Sequence, residues 1–401
     1  MAVVGLQWGD EGKGKVVDYL SEGFEAVARY NGGSNAGHTI VLDGQAYKFH
    51  LIPSGALRSK RLLIGAGVAL DTVVLAEELH LLSQRGFKPD LVVDPRCSLV
   101  TPMEKEFDSF LEGLRAGQPL GTTKMGLGPA YAMRALRLTP RAVDLFSDSF
   151  EASHLTTFYE RLGISTKGFG PWLESSRELL RPLLGDVAGE VASAGRDKGV
   201  LFEGAHGAML DLLYGTYPFV TSSSTLATYA PVGTGVGAAP PGSVGVVKCY
   251  TTRVGEGPFP TEFRGALADS IREKGKEYGV TTGRPRRIGW LDLVAVKYAA
   301  RLSGVTSIAL TKVDVLAGLG ELEACTAYRS GGKESSDFFD FLASVDDAEP
   351  VYKTLEPIGE GDFKDPSRGP LRALLDLIRE EAGVKVSLLS YGEDRSATLN
   401  L

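Results

Sequence analysis

The chain has 401 residues, 43% hydrophobic and 23% charged, with a formal net charge of −7. That length buries a large core, and no apolar run approaches the ~20 residues that a membrane-spanning helix needs. The acidic balance argues against a general nucleic-acid binder, whose phosphate contacts leave a basic signature. Cys97, Cys249 and Cys325 stand far apart without CxxC spacing, so three buried thiols are expected rather than a disulfide framework or a zinc site. The residues after Met1 lack the basic and long apolar regions of a secretory leader, and the expected compartment is the cytoplasm.

Ala2–Leu6 is a short apolar run that predicts a buried strand. Gly9-Asp-Glu-Gly-Lys-Gly-Lys15 follows it and leads into a helix-compatible stretch, Val16 to Leu20. Glycines let backbone N–H groups close on phosphates, and Lys13 and Lys15 add positive charge near a helix N-terminus. The run satisfies the G-x-x-x-x-G-K part of a P-loop, but Val16 stands where Ser or Thr would ligate magnesium. A metal ligand must come from elsewhere, and the Asp10 carboxylate is the nearest candidate for ligand or base.

Asn31-Gly-Gly-Ser-Asn-Ala-Gly-His-Thr39 is too glycine-rich for a regular element and reads as a loop that presents His38 to a transferring phosphoryl group. Helical patterns are expected over Thr72–Gln84, Glu174–Ala194 and Leu291–Leu302, and further strands over Leu91–Val93, Val244–Val247, Ser307–Leu310 and Lys385–Leu389. Pro231–Gly242 reads as a functional loop within one domain, and Ser330–Asp347 and Gly359–Gly369 as peripheral, solvated insertions.

Thr281-Thr-Gly-Arg-Pro-Arg-Arg287 gathers guanidinium groups, which match carboxylates and phosphates bidentately. An RNA-binding reading of this cluster sits poorly with an acidic chain. The strand at Ser307 ends in Thr311-Lys-Val-Asp314, similar to the Asn-Lys-x-Asp motif of GTP-binding proteins. A carboxylate there accepts paired hydrogen bonds from N1–H and the 2-amino group of guanine, a pair adenine does not offer.

Strands alternating with helices predict an α/β fold: a large, mostly parallel central sheet with flanking helices, a P-loop-like GTP-binding architecture with insertions. Residues 1–401 are expected to form a single domain. The strings Gln7–Lys15, Asn35–Thr39, Gly121–Thr123, Gly128–Tyr131, Phe202–Ala205, Gly215–Pro218, Val220–Ser223 and Thr252–Gly255 together resemble the adenylosuccinate synthetase family over nearly the whole chain.

That resemblance implies phosphoryl transfer from GTP to the 6-oxygen of IMP, then displacement of phosphate by the amine of aspartate. By similarity, Asp10 removes the N1 proton and His38 donates to the phosphoryl region, with one Mg2+ per subunit on Asp10 and the Gly37 carbonyl. GTP would lie on Gly9, Asp10, Glu11, Gly12, Lys13, Gly14 and Lys15, on Gly37, His38 and Thr39, and on Arg286. Its base would meet Lys312, Val313 and Asp314 and the turn Ser390, Tyr391 and Gly392.

IMP would meet Asp10, Glu11, Gly12 and Lys13, then Asn35, Ala36, Gly37 and His38, with Thr123, Thr221 and Arg284 as further contacts. His206 stands where the family usually has a glutamine. Aspartate would be held by Val280, Thr281, Thr282, Gly283, Arg284 and Arg286. Arg137 matches an arginine that reaches the neighbouring subunit's IMP, which implies a homodimer. Two alternatives are a phage-type relative acting on dGMP, which would lack the carboxylate of Asp10, and a regulatory P-loop GTPase, which Val16 disfavours.

Overall fold

The computed structural model describes residues 1–58, 60–115, 120–194, 199–238, 240–279 and 283–401. Nine strands among them form the central sheet: β1 (Ala2–Gly5), β2 (Ala26–Arg29), β3 (Arg61–Ile64), β4 (Asp90–Val93), β5 (Val200–Gly207), β6 (Ser243–Lys248), β7 (Ser307–Thr311), β8 (Val386–Ser390) and β9 (Thr398–Asn400). Their spatial order is β9-β8-β7-β6-β1-β5-β2-β3-β4. Every neighbouring pair is parallel except β8 with β9.

Parallel strands need crossover connections that put helices on the sheet faces, so side chains on both faces are buried and the strands read as continuous apolar runs. The period of two is still visible in the packing. Val3, Val27, Leu201, Val246 and Ala309 join the core on one face, with Leu75 and Leu82 of the helix Thr72–Gln84. Val4, Ala28, Phe202, Val247 and Leu310 join the core on the other, against the helices Leu293–Leu302 and Gly369–Ala382. All three cysteines are buried.

Several local expectations change. Glu174–Ala194 is two helices, Phe169–Leu180 and Val187–Ala194, because the chain turns through Leu183 and Leu184 to bond Val93 at the end of β4. Pro231–Gly242 is no loop at the site: its start is the short helix Ala230–Thr234. The carbonyl of Gly233 accepts from Gly67 N at 2.8 Å, and a Cβ at Gly233 would meet the Tyr30 carbonyl at 2.1 Å. Ser330–Asp347 is anchored by Phe338 and Phe341, both 1% exposed, with Phe338 stacked on Tyr298 at 4.9 Å. His38 opens a strand, His38–Leu42, paired with Gln45–Phe49.

The strand order reverses direction around β1, with β6 on one side and β5 on the other. In open parallel sheets such a reversal leaves a crevice at the carboxyl ends of the strands. The segments that follow β1, β2, β5, β7 and β8 all emerge at that edge.

Candidate active site

A cavity of about 1200 Å³ occupies the crevice. Pockets for one small ligand hold about 300–1,000 Å³, so this one has room for more than one substrate. Of the residues named from sequence, the cavity walls include Gly9, Asp10, Gly12 to Lys15, Asn35 to Thr39, Thr123, His206, Thr221, Gly283, Arg284, Arg286, Lys312, Asp314, Ser390 and Gly392.

The phosphate loop is built from β1 outward. Gly12 has φ 87° and caps the helix Lys13–Leu20, whose first N–H groups open toward the cavity. Gly14 leaves no room for a side chain, since a Cβ there would stand 2.9 Å from the His38 Cβ. Glu11 is fully buried beneath the loop: it accepts from Gly9 N at 2.9 Å, Gln7 N at 3.1 Å and Lys13 Nζ at 2.5 Å. Its carboxylate therefore shapes the loop instead of lining the cavity. Val16 lies in the apolar core, as far from a metal ligand in function as its side chain implies.

Three non-glycine residues with left-handed φ sit at the strand ends: Asp10 (59°) after β1, His206 (63°) in β5 and Lys312 (59°) after β7. Such backbone costs about 1–2 kcal/mol per residue and concentrates where function over-determines it.

His38 is held at Nδ1 by the Glu203 carboxylate, an ion-pair contact in which both side chains are nearly inaccessible. Glu203 also accepts from the Ser54 hydroxyl and the Ser54 N–H, each at 2.7 Å. Burial pushes the Glu203 carboxyl up, but His38 and the Ser54 donors outweigh it and hold the group below the usual carboxylate range. His38 Nε2 lacks a partner among the described residues.

At the other end of the cavity, Asp314 Oδ1 is buried and equally without a partner. Burial raises the Asp314 carboxyl above its ordinary value despite Lys312 and Lys15 nearby. Lys15, expected on phosphates, is drawn here: its ammonium donates to Ser390 Oγ at 2.8 Å, Gly392 O at 2.8 Å and Ala397 O at 2.9 Å. Burial lowers its pKa to about 8, against the pull of Asp314 and Asp394.

Arg286 Nε lies 2.8 Å from the Asp10 carboxylate. Arg284 donates to Gly121 O at 3.1 Å, and Asn35 Nδ2 to Thr221 Oγ1 at 3.4 Å, which ties the segments expected around IMP. Burial first, then the charges of Lys13, Arg29 and His38, lower the His206 pKa to about 3. The ring is therefore neutral, with one donor and one acceptor, the same complement a glutamine carboxamide offers across a site. Its Nδ1 and the Asn35 Oδ1 also lack partners among the described residues. Buried polar atoms without partners are rare in folded proteins. Such atoms belong to His38, Asn35, His206 and Asp314 among the residues that line this one cavity.

Other expected residues lie elsewhere. Val313 is fully buried, Tyr391 stacks on Phe363 at 5.9 Å, and Arg137 lines a separate depression with Asp144 and His154. Val280, Thr281 and Thr282 lie outside the described residues. Residues that sequence reasoning did not single out include Glu203, Ser54 and Arg29, the last donating to Gly33 O at 2.8 Å beneath the His38 loop. A buried carboxylate inside an apolar strand, Phe202-Glu-Gly, was the one available signal for Glu203.

Moving a phosphoryl group requires donor and acceptor in one enclosed space with acid and base groups between them. The fold and the cavity define a nucleotide-dependent α/β enzyme of that class. The adenylosuccinate synthetase family model matches residues 2–399, and the chain belongs to that family. It is 44% identical over 423 residues to the adenylosuccinate synthetase of Desulforamulus reducens, covering 100% of this chain and 98% of that protein. The fully ligated adenylosuccinate synthetase of Plasmodium falciparum superposes with a TM-score of 0.89 at 32% identity, covering 100% of this chain and 99% of that one. The succinoaminodeoxyadenylate synthetase of cyanophage S-2L, bound to dGMP and dATP, superposes with a TM-score of 0.66 at 20% identity, covering 100% and 94%; this likeness concerns the fold alone. No helix among the described residues is long and apolar enough to cross a membrane.

Proposed function

We propose that the chain joins L-aspartate to IMP at the expense of GTP, releasing adenylosuccinate, GDP and phosphate on the route from IMP to AMP. Asp10 takes the N1 proton of IMP, which makes the 6-oxygen a nucleophile toward the γ-phosphorus of GTP. His38 Nε2 donates to the transferring phosphoryl group. The aspartate amine then attacks C6, and phosphate departs where oxide could not. Asp314 selects guanine, and Arg284 and Arg286 hold aspartate.

The observation that carries this reading is the shared cavity, lined by Asp10, His38 and Asp314, with His38 Nε2 and Asp314 Oδ1 lacking partners among the described residues. A single carboxylate beside a phosphate loop suits Mg2+, which takes one or two carboxylates and draws its other ligands from phosphates and water. Asp10 and the Gly37 carbonyl would hold it, and it would neutralise charge on the phosphates.

Arg137 is exposed and outside its own cavity, which supports a homodimer in which it serves the neighbouring subunit. The central sheet draws strands from both ends of the chain, which supports one domain over 1–401. The cytoplasm is the proposed compartment.

A coupled assay tests the reading. Purified protein with IMP, aspartate, GTP and Mg2+ forms adenylosuccinate, and ATP in place of GTP supports little turnover. Absence of product overturns the substrate assignment, and equal activity with ATP overturns the role of Asp314.

A further inference from the structure

Glu277 belongs to none of the motifs and follows the helix Ala266–Gly275. Its side chain is fully buried, and both carboxylate oxygens are engaged. Oε1 accepts from Lys248 Nζ at 3.0 Å, Lys312 Nζ at 3.1 Å and the Tyr250 hydroxyl at 2.5 Å; Oε2 accepts from Arg286 Nη1 at 2.5 Å. One carboxylate thus gathers three cations. Burial works against its ionisation, and the three cations outweigh burial to hold it far below the usual carboxylate range.

Two of those cations, Lys312 and Arg286, line the cavity. Lys312 immediately precedes the strand-end segment carrying Asp314, and its ammonium also donates to Gly275 O at 2.5 Å. Arg286 turns its Nε to the Asp10 carboxylate. The backbone adds a second constraint: Arg286 N donates to Glu277 O at 2.9 Å and Gly279 N to Arg284 O at 2.8 Å, closing the neck of the arginine segment. A shift of Glu277 would therefore move the neck and both cations together, and its neutralisation would leave the buried Lys248 and Arg286 and the part-exposed Lys312 facing one another.

We propose that Glu277 is a positioning residue that couples the purine end of the cavity to the amino-acid end, by holding Lys312 and Arg286 on one carboxylate. This rests on the reading that Lys312 serves the guanine and Arg286 the aspartate. Order imposed at one end is transmitted to the other through this shared carboxylate, so GTP and aspartate favour each other's binding.

Steady-state kinetics with Glu277→Gln, Lys312→Met, Arg286→Leu and the two doubles that include Glu277→Gln test it. Glu277→Gln raises KM for GTP and for aspartate about tenfold each. In the Lys312→Met background its effect on GTP disappears, and in the Arg286→Leu background its effect on aspartate disappears. Unchanged KM values for GTP and aspartate, or additivity in both backgrounds, would overturn the proposal. If Glu277→Gln does not fold, Tyr250→Phe removes one donor and keeps the charge; it raises KM for GTP and aspartate about threefold, and unchanged values count against the coupling. Failure of the functional reading is seen separately, as a parent enzyme without GTP-dependent product or as single Lys312→Met and Arg286→Leu variants with unaltered KM for GTP and aspartate.

Discussion

The Glu203 carboxylate holds His38 by Nδ1, and His38 Nε2 has no partner among the described residues. A carboxylate on one ring nitrogen fixes the orientation of the ring, and Nε2 is then the nitrogen left for a phosphoryl oxygen. Glu203→Gln keeps the shape and removes the charge. Its kcat falls about 10²-fold with little change in KM for IMP, measured by steady-state kinetics. The sign of the pH effect follows from the lowered Glu203 pKa. Its contribution to stability is present above the unfolded value of about 4.3 and is lost as pH falls through the lower folded value. Acid unfolding of Glu203→Gln is correspondingly less steep below that pH.

Asp10 is one-quarter exposed and pairs with Arg286, so it can be removed without opening the core. Asp10→Ala loses about 10²–10⁴-fold in kcat while its thermal unfolding midpoint stays within a few degrees of the parent. Near-parental kcat in a folded variant would remove Asp10 as the base.

The guanine contact proposed for Asp314 requires a carboxylate. Asp314→Asn puts an amide donor against the 2-amino group, so KM for GTP rises about 10²-fold and KM for IMP is unchanged. Xanthosine triphosphate, with an oxygen at C2, recovers turnover in this variant. A preference that remains for GTP would show that the base is read elsewhere.

His206 is neutral at working pH, with a pKa lowered to about 3. Between that value and the unfolded 6.5 the unfolded chain binds the extra proton, so His206 costs stability as pH falls through this window. His206→Gln keeps one donor and one acceptor; it retains turnover within about tenfold and unfolds less steeply with acid between pH 6.5 and 3. Denaturant titrations across that range read the slope directly.

Arg137 stands away from its own cavity and carries a left-handed φ of 62°. Asp10→Ala and Arg137→Leu subunits, each inactive alone, recover part of the parental activity when mixed and allowed to exchange. Full exchange with no recovery would argue against a shared site.

The sheet was legible because buried parallel strands read as unbroken apolar runs: Ala2–Leu6, Val244–Val247 and Ser307–Leu310 each fall within an observed strand or overrun it by one residue. β2, β3, β5 and β9 were not, and in β5 Glu203, Gly204 and His206 interrupt the apolar pattern for reasons of chemistry. The same split holds in the site. Asp10, His38 and Asp314 announce themselves through local strings, whereas Glu203 and Glu277 matter through contacts with residues that the fold alone brings near. Lys15 shows the limit most clearly: its place in the loop predicts phosphate, and the folded chain spends its ammonium on three oxygens near residue 390.

That attachment spans 375 to 382 positions of sequence. Lys15 is synthesised 375 residues ahead of Ser390. A nascent chain on the ribosome therefore carries this buried ammonium without its three oxygens until the turn near residue 390 has emerged.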